Sequence, residues 1–276
     1  MLPILFHIGP IPIYGYGLSL ALGFMAGILL AQHDAKHFNI PEKKLESLFP
    51  SVIIFGALGA RLFHAVIERP SHFIKYPLDF FKLWDGGVTF YGGLIFAVLT
   101  AWFFAKKNKI KPLVLIDFLI PYVALGQVFG RIGCFLAGCC YGLPTDLPWG
   151  IAASNPLSAT TPLGVPLHPT QLYQMLWNLL TFIILYRTAW RKKFIGQSLL
   201  LYGIIYPIGR GIIEIFRGDS IRGFIIDGVL STSQGISIVI LISCLIIYVR
   251  MIKNVNKETA TKNMHSVKKN TKKPLK

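Results

Sequence analysis

The sequence predicts an all-α integral membrane protein of about seven transmembrane helices, with its N-terminus outside and its C-terminus in the cytoplasm. Three observations predict it. First, 14% of the 276 residues are charged and 53% are hydrophobic, with a mean hydropathy of +0.56. A water-soluble domain carries about 25% charged residues to cover its surface. Second, apolar runs close to the roughly 20 residues that cross a bilayer recur along the chain. Third, the short connections alternate between Lys/Arg-rich and Lys/Arg-poor, as successive sides of a membrane do. The composition excludes a disordered chain, a disulfide scaffold and an ordinary cytosolic enzyme.

Residues 1–12 carry no basic residue and no small-residue cleavage pattern, so they read as a short interfacial segment rather than a removable signal peptide. The spans follow at about 13–32, 47–67, 88–105, 113–137, 171–187, 197–216 and 234–249. Lys36, Lys43 and Lys44 follow the first span. Lys106, Lys107, Lys109 and Lys111 follow the third, and Arg191, Lys192 and Lys193 the fifth. These loops are assigned to the cytoplasm. The 141–170 connection has no Lys or Arg, is rich in Pro and Gly, and is too apolar for a solvated linker. It is expected to be an ordered outer cap, because connections this long are usually functional when they are not disordered. Residues 1–250 thus form a membrane domain and 251–276 a basic, disordered tail on the cytoplasmic side.

The net charge of +16 resembles a nucleic-acid signature until it is located. From Arg250 onward nine Lys or Arg face one acid, Glu258, so half of the excess sits in the tail. There it serves as a topology determinant or attracts anionic headgroups of the plasma membrane, and no nucleic-acid partner is expected. Cys244 lies alone in an apolar run and reads as packing. Cys134, Cys139 and Cys140 are spaced C-x4-C-C, which matches none of the usual zinc patterns, and no His adjoins them, so no metal is expected.

The residues that point to function are charges in apolar runs, each costing about 2.5–3.5 kcal/mol at a span centre. They are Arg61, Asp117, Arg131, Arg210 and Glu214. Asp117 suits a helix start, where the macrodipole favours a carboxylate. Arg210, Glu214 and Arg217 are spaced i, i+4, i+7 and share one helical face. That face is either a structural ion-pair seam or a polar pocket in which guanidiniums bind an anion, since their planar fork matches phosphate oxygens. Gly130-Arg131-Ile132-Gly133 offers either close helix packing or backbone amides freed beside an arginine. Tyr14, Tyr16 and Tyr91 suit a membrane-interface belt, or proton transfer beside cations.

Five segments in order resemble the bacterial prolipoprotein diacylglyceryl transferase family. They are Ile13-Tyr14-Gly15-Tyr16-Gly17-Leu18; Trp84-Asp85-Gly86-Gly87 with Phe90-Tyr91-Gly92-Gly93-Leu94; Gly130-Arg131-Ile132-Gly133-Cys134-Phe135; His168-Pro169-Thr170-Gln171-Leu172-Tyr173; and Arg210-Gly211-Ile212-Ile213-Glu214-Ile215-Phe216-Arg217. The resemblance implies a multi-pass enzyme of the bacterial plasma (inner) membrane. Such an enzyme moves the diacylglyceryl group of phosphatidylglycerol onto the lipobox cysteine of prolipoprotein signal peptides, with no cofactor, and releases glycerol 1-phosphate. It implies catalytic roles for Tyr16, Tyr91, Arg210 and Glu214. Headgroup binding falls to Arg131, Arg61, Gly130, Gly133 and Arg217. The chain departs from the family at three places: Tyr91 where many members have His, Cys134 where many have Asn, and Cys139 where many have Glu. The competing expectation is a non-catalytic membrane protein that binds anionic lipid or carries a small anion.

Overall fold

The computed structural model describes residues 1–38, 40–82, 87, 89–160, 162–218, 223–226 and 230–270. Trp84, Asp85 and Gly86 of the second motif, and Lys272 and Lys273 of the tail, lie outside the described residues. The chain is mostly helical and divides into two compact units. One comprises Met1–Gly27 with Ile120–Lys276, the other Ile28–Leu119.

The first unit opens with a hairpin, β1 (Ile4–Ile8) and β2 (Ile11–Tyr14), turning through Gly9 at φ +59°. The segment expected only to lie at the interface is therefore paired backbone. Its β-branched residues suit strands, and Leu5, Phe6, Ile8 and Ile11 remain exposed along it. Helix α1 (Gly15–Ala35) follows at once and enters the second unit at Ile28. The rest of the first unit is the C-terminal part of α5 (Pro112–Ala137), then α6 (Thr170–Ala189), α7 (Gln197–Glu214) and α8 (Thr232–Asn270). Ser19 of α1 donates to the Phe129 carbonyl of α5 at 2.6 Å, and Trp177 of α6 donates to the Ile205 carbonyl of α7 at 3.0 Å. Cys244 of α8 packs on Gly203 of α7, where even a Cβ would collide with its sulfur, in keeping with a packing role.

Helix α6 buries a polar stripe: Thr170, Gln171, Gln174, Asn178 and Thr181 are all 1–2% exposed. Polar side chains between helices serve as hydrogen-bonding glue in an apolar solvent, and Gln174 donates to Asn178 at 3.1 Å. The outward faces are apolar instead. The most apolar 18-residue stretch of α8 has none of its residues buried. Among the described residues, four helical segments are long and apolar enough to cross a membrane: Gly15–Ala35, Glu42–Glu68, Pro112–Ala137 and Thr232–Lys257. Helix α8 continues to Asn270, so the backbone of the basic segment is helical where its composition reads as a disordered tail. Elongating an existing helix avoids the costly nucleation step.

In the second unit, α2 (Glu42–Phe63) runs into a π turn (His64–Glu68), the short α3 (Pro70–Lys75) and a 3-10 turn (Pro77–Phe81), before α4 (Phe90–Lys107). Helices α2 and α4 meet backbone to backbone. A Cβ on Gly59 would collide with Phe96, and one on Gly92 would collide with the Gly59 carbonyl and Phe63. Small residues permit this approach in a bilayer, where dispersion replaces the hydrophobic driving force. Leu45, Leu48, Ala101, Ala105, Leu115 and Phe118 fill the unit's buried core. Asp117 falls past the first turn of α5 and is fully buried, so the helix-start explanation does not account for it.

Candidate active site

The sequence-predicted residues divide between the two units. In the first unit, α7 is continuous through Arg210 and Glu214 because its apolar residues leave one charged stripe inward. The spacing of four brings the Arg210 Nη2 to 2.9 Å from the Glu214 Oε2. Arg217, just beyond the helix, places its Nη1 3.8 Å from the same oxygen. Glu214 is 3% exposed, and both arginine side chains are largely buried. Arg210 also donates to the Ser233 hydroxyl at the start of α8, at 3.4 Å. Arg131 of α5 lies within electrostatic range of Arg210 and Arg217. Among the described residues three guanidiniums gather with one carboxylate in a region sheltered from water, where each interaction with an anion is strengthened.

Tyr16 joins this group through glycine. A Cβ on Gly133 would stand 3.0 Å from the Tyr16 ring and 3.2 Å from its Cα, so α5 seats the first turn of α1 only with a bare Cα there. Gly130 is different, since a Cβ there would meet open space. Both glycines lie inside α5, and their amides belong to the helical ladder. The continuous α5 backbone keeps them engaged, and the break comes later.

Helix α5 ends at Ala137, where Gly138 at φ +79° turns the chain and the amides of Gly138 and Cys139 both bond the Cys134 carbonyl. Cys140 then takes φ +58°, a left-handed conformation rare for a side-chain-bearing residue. The start of α6 holds this turn from outside. Thr170 donates to the Cys140 carbonyl at 2.7 Å and Gln171 to the Cys139 carbonyl at 2.8 Å. The result gathers the three sulfurs of Cys134, Cys139 and Cys140 within 4.8 Å of one another as free thiols. Sequence spacing concealed this, because the turn at Gly138 is what folds residues 139 and 140 back over 134.

The 141–170 connection is ordered, as expected. Gly142 and Leu143 donate to the carbonyls of His168 and Phe216 at 3.0 and 2.8 Å, and Gly218 donates to Tyr141 at 3.1 Å. A Cβ on Gly142 would come within 2.5 Å of the His168 carbonyl. Tyr173 accepts from the Trp149 indole at 2.8 Å and bonds His168 at 3.2 Å. Beside them Trp149, Ile151, Leu172, Tyr173 and Leu176 line an open apolar groove of about 560 Å³. The sequence reading also passed over Tyr202 and Tyr206, which stack with centroids 5.3 Å apart, and Gln127, which donates to Tyr202 at 2.7 Å. Their signal was available: 202, 206, 210 and 214 continue the charged stripe of α7 at intervals of four.

In the second unit, Arg61 is 4% exposed and committed to backbone. Its Nε donates to the Phe80 carbonyl at 3.0 Å, Nη1 to Gly87 at 2.9 Å, and Nη2 to Asp79 and Lys82 at 2.6 and 3.0 Å. The guanidinium also lies over the Phe73 ring, 5.2 Å from its centroid. This fork ties down the segment between α3 and α4, which is a different employment from the expected headgroup contact. Nearby, His64 bonds Glu68 at 2.6 Å, and Glu68 accepts from Thr89 at 2.7 Å. The hydrogen bond from Lys82, and the lesser one from His72, hold the Asp79 carboxyl below the usual aspartate range. Tyr91 opens α4 and is 59% exposed.

A family described as prolipoprotein diacylglyceryl transferase matches residues 3–250. The chain is 39% identical over 239 residues to a phosphatidylglycerol–prolipoprotein diacylglyceryl transferase of Clostridium tetani, covering 86% of this chain and 93% of that one. It is 36% identical to a second such transferase of Clostridium perfringens, with 89% and 91% covered. It is 35% identical to that of Finegoldia magna, with 91% and 96% covered.

Proposed function

The chain belongs to the prolipoprotein diacylglyceryl transferase family, and from that premise we propose how its own residues carry the reaction. The enzyme transfers the diacylglyceryl group of phosphatidylglycerol to the cysteine thiol of a prolipoprotein. A carbon–oxygen bond to the phosphate breaks, a thioether forms, and glycerol 1-phosphate leaves with the bonding electron pair. Charge therefore accumulates on a phosphate oxygen in the transition state. Preorganised cations in a dry site act on that charge most strongly.

Arg131 and Arg210 take the phosphate, with Arg217 contributing to the field around it. Glu214 holds Arg210 in place through the 2.9 Å ion pair and keeps the cluster from repelling itself apart. Tyr16, seated on Gly133, orients the glycerol or relays a proton, and Tyr91 keeps the catalytic role that the resemblance implies. The apolar groove beside Trp149 and Tyr173 accepts an acyl chain or the apolar part of a signal peptide. Arg61 acts by holding the segment before α4 rather than by binding phosphate. The observation that carries this reading is the buried Arg210–Glu214–Arg217 cluster, in the same unit as Arg131.

The seven apolar helices α1, α2, α4, α5, α6, α7 and α8 are assigned as spans of a bacterial inner-membrane protein. The basic loops after α1, α4 and α6 support a C-terminus inside and an N-terminus outside. The deciding experiment incubates the purified chain with phosphatidylglycerol and a lipobox peptide, and follows diacylglyceryl-peptide and glycerol phosphate by mass spectrometry. Arg131→Ala and Arg210→Ala are each expected to slow transfer by about a hundredfold or more, the scale of losing one preorganised donor to a developing oxyanion. Wild-type rates in folded variants would remove the phosphate from this site.

A further inference from the structure

Cys134, Cys139 and Cys140 have no role in the account above, yet their backbone is among the most constrained in the chain. Gly138 and Cys140 both adopt positive φ, and the carbonyls of Cys139 and Cys140 are each clamped by a buried side chain of α6. A strained left-handed residue persists only where its surroundings over-determine it, and such residues gather at functional sites. We propose that these three cysteines form a thiolate site for one zinc ion, whose fourth position receives the thiol of the acceptor peptide. The second half of this inference rests on the transferase reading; the first does not.

Geometry supports the metal over the two plain alternatives. Zinc–sulfur bonds of about 2.3 Å in a tetrahedron set sulfurs roughly 3.8 Å apart, and the three here lie within 4.8 Å of one another. A disulfide would join two and strand the third, and all three are free. Ordinary packing would not require a left-handed cysteine clamped at both neighbouring carbonyls. Among the described residues no His, Asp or Glu joins the group. Three protein ligands with one open position is the pattern of catalytic rather than structural zinc. Three thiolates outweigh a divalent ion, and the surplus negative charge falls beside Arg131 and Arg217, whose fields reach Cys140.

The placement answers a chemical need. The nucleophile in thioether formation is a thiolate, and a thiol bound to zinc is deprotonated outright. Coordination of the acceptor would release its proton to water. The metal-held sulfur then attacks the glyceryl carbon bonded to phosphate oxygen, a sulfur–carbon bond forms, and the carbon–oxygen pair leaves on glycerol phosphate. Tyr16 lies within the field of the same three cysteines and of Arg131. No imidazole base is required, which fits a chain with Tyr91 where many relatives have His.

The test uses the full chain purified in detergent under reducing conditions. Metal analysis is expected to find about one zinc per chain, the stoichiometry of a single such site. Cys134→Ser, Cys139→Ser and Cys140→Ser should each hold less than about a tenth of that, and Cys244→Ser should retain it. Cobalt exchanged into the wild-type chain should show sulfur-to-cobalt absorption, and its visible bands should shift on adding a lipobox peptide but not its serine counterpart. Zinc content no higher than in a triple-serine variant, or a disulfide found by mass mapping, would overturn the site. Equal spectra with both peptides, or full transfer by the chelated enzyme, would overturn the acceptor role. A cobalt shift without transfer in any metal state would leave the metal site standing and sink the transferase reading, so the two failures are separable.

Discussion

Arg61 shows how a charge in an apolar run can be functional in one sense and not in another. Among the described residues, its four carbonyl acceptors come from 18 to 26 residues further along the chain, at Asp79, Phe80, Lys82 and Gly87. Burial without them would cost several kcal/mol, whereas with them the guanidinium is satisfied and the segment before α4 is pinned. Arg61→Gln is expected to lower the melting temperature of the purified protein by removing about 2–4 kcal/mol of stabilisation. The KM for phosphatidylglycerol, measured below the new melting range, should stay within about twofold, a shift of under about 0.5 kcal/mol. A tenfold rise in KM at unchanged melting temperature would return Arg61 to the headgroup. Arg210 is the contrasting residue, because among the described residues its partners are one carboxylate and one distant hydroxyl at 3.4 Å, a looser engagement that suits a group meant to meet substrate.

At the scale of the element, the seam between α2 and α4 depends on what is missing from its side chains. Gly92→Val would drive a branched side chain into the Gly59 carbonyl and Phe63. It should destabilise the protein by about 1–3 kcal/mol, the usual cost of overpacking, read as a lower melting temperature, while Gly130→Ala, facing open space, should leave it unchanged. Element existence was legible in the sequence because each apolar run imposed its own helix, and among the described residues four of these helical segments are long and apolar enough to cross a membrane. The charged stripe of Arg210, Glu214 and Arg217 was legible for the same reason, since spacings of three and four survive folding unchanged. What stayed hidden depended on backbone torsions or on partners far along the chain. The hairpin at residues 4–14 needed strand pairing, the cysteine trio needed the left-handed turns at 138 and 140, and Arg61 needed a loop not yet folded. The His-Pro-Thr-Gln motif was visible as letters, but its use of Thr170 and Gln171 as clamps on Cys140 and Cys139 was not.

For the molecule as a whole, the exposed apolar faces suit lipid, and the charges of the connections predict its direction there. An epitope inserted at Gly164, where a side chain would meet open space, is expected to be reached by antibody in spheroplasts without permeabilisation. One inserted after Lys107 should be reached only after the membrane is opened, and the reverse pattern would invert the topology. The division into units also bears on the order in which a ribosome delivers the chain. Residues 28–119 form one continuous stretch, so their contacts can close once α4 and the start of α5 have emerged. The other unit joins the first 27 residues to the last 157. Tyr16 is made early yet meets Gly133 only after more than a hundred further residues, and Arg210 later still. The reaction centre is thus among the last parts of the protein to exist, and a chain halted before α7 would reach the membrane largely folded in one half and chemically inert.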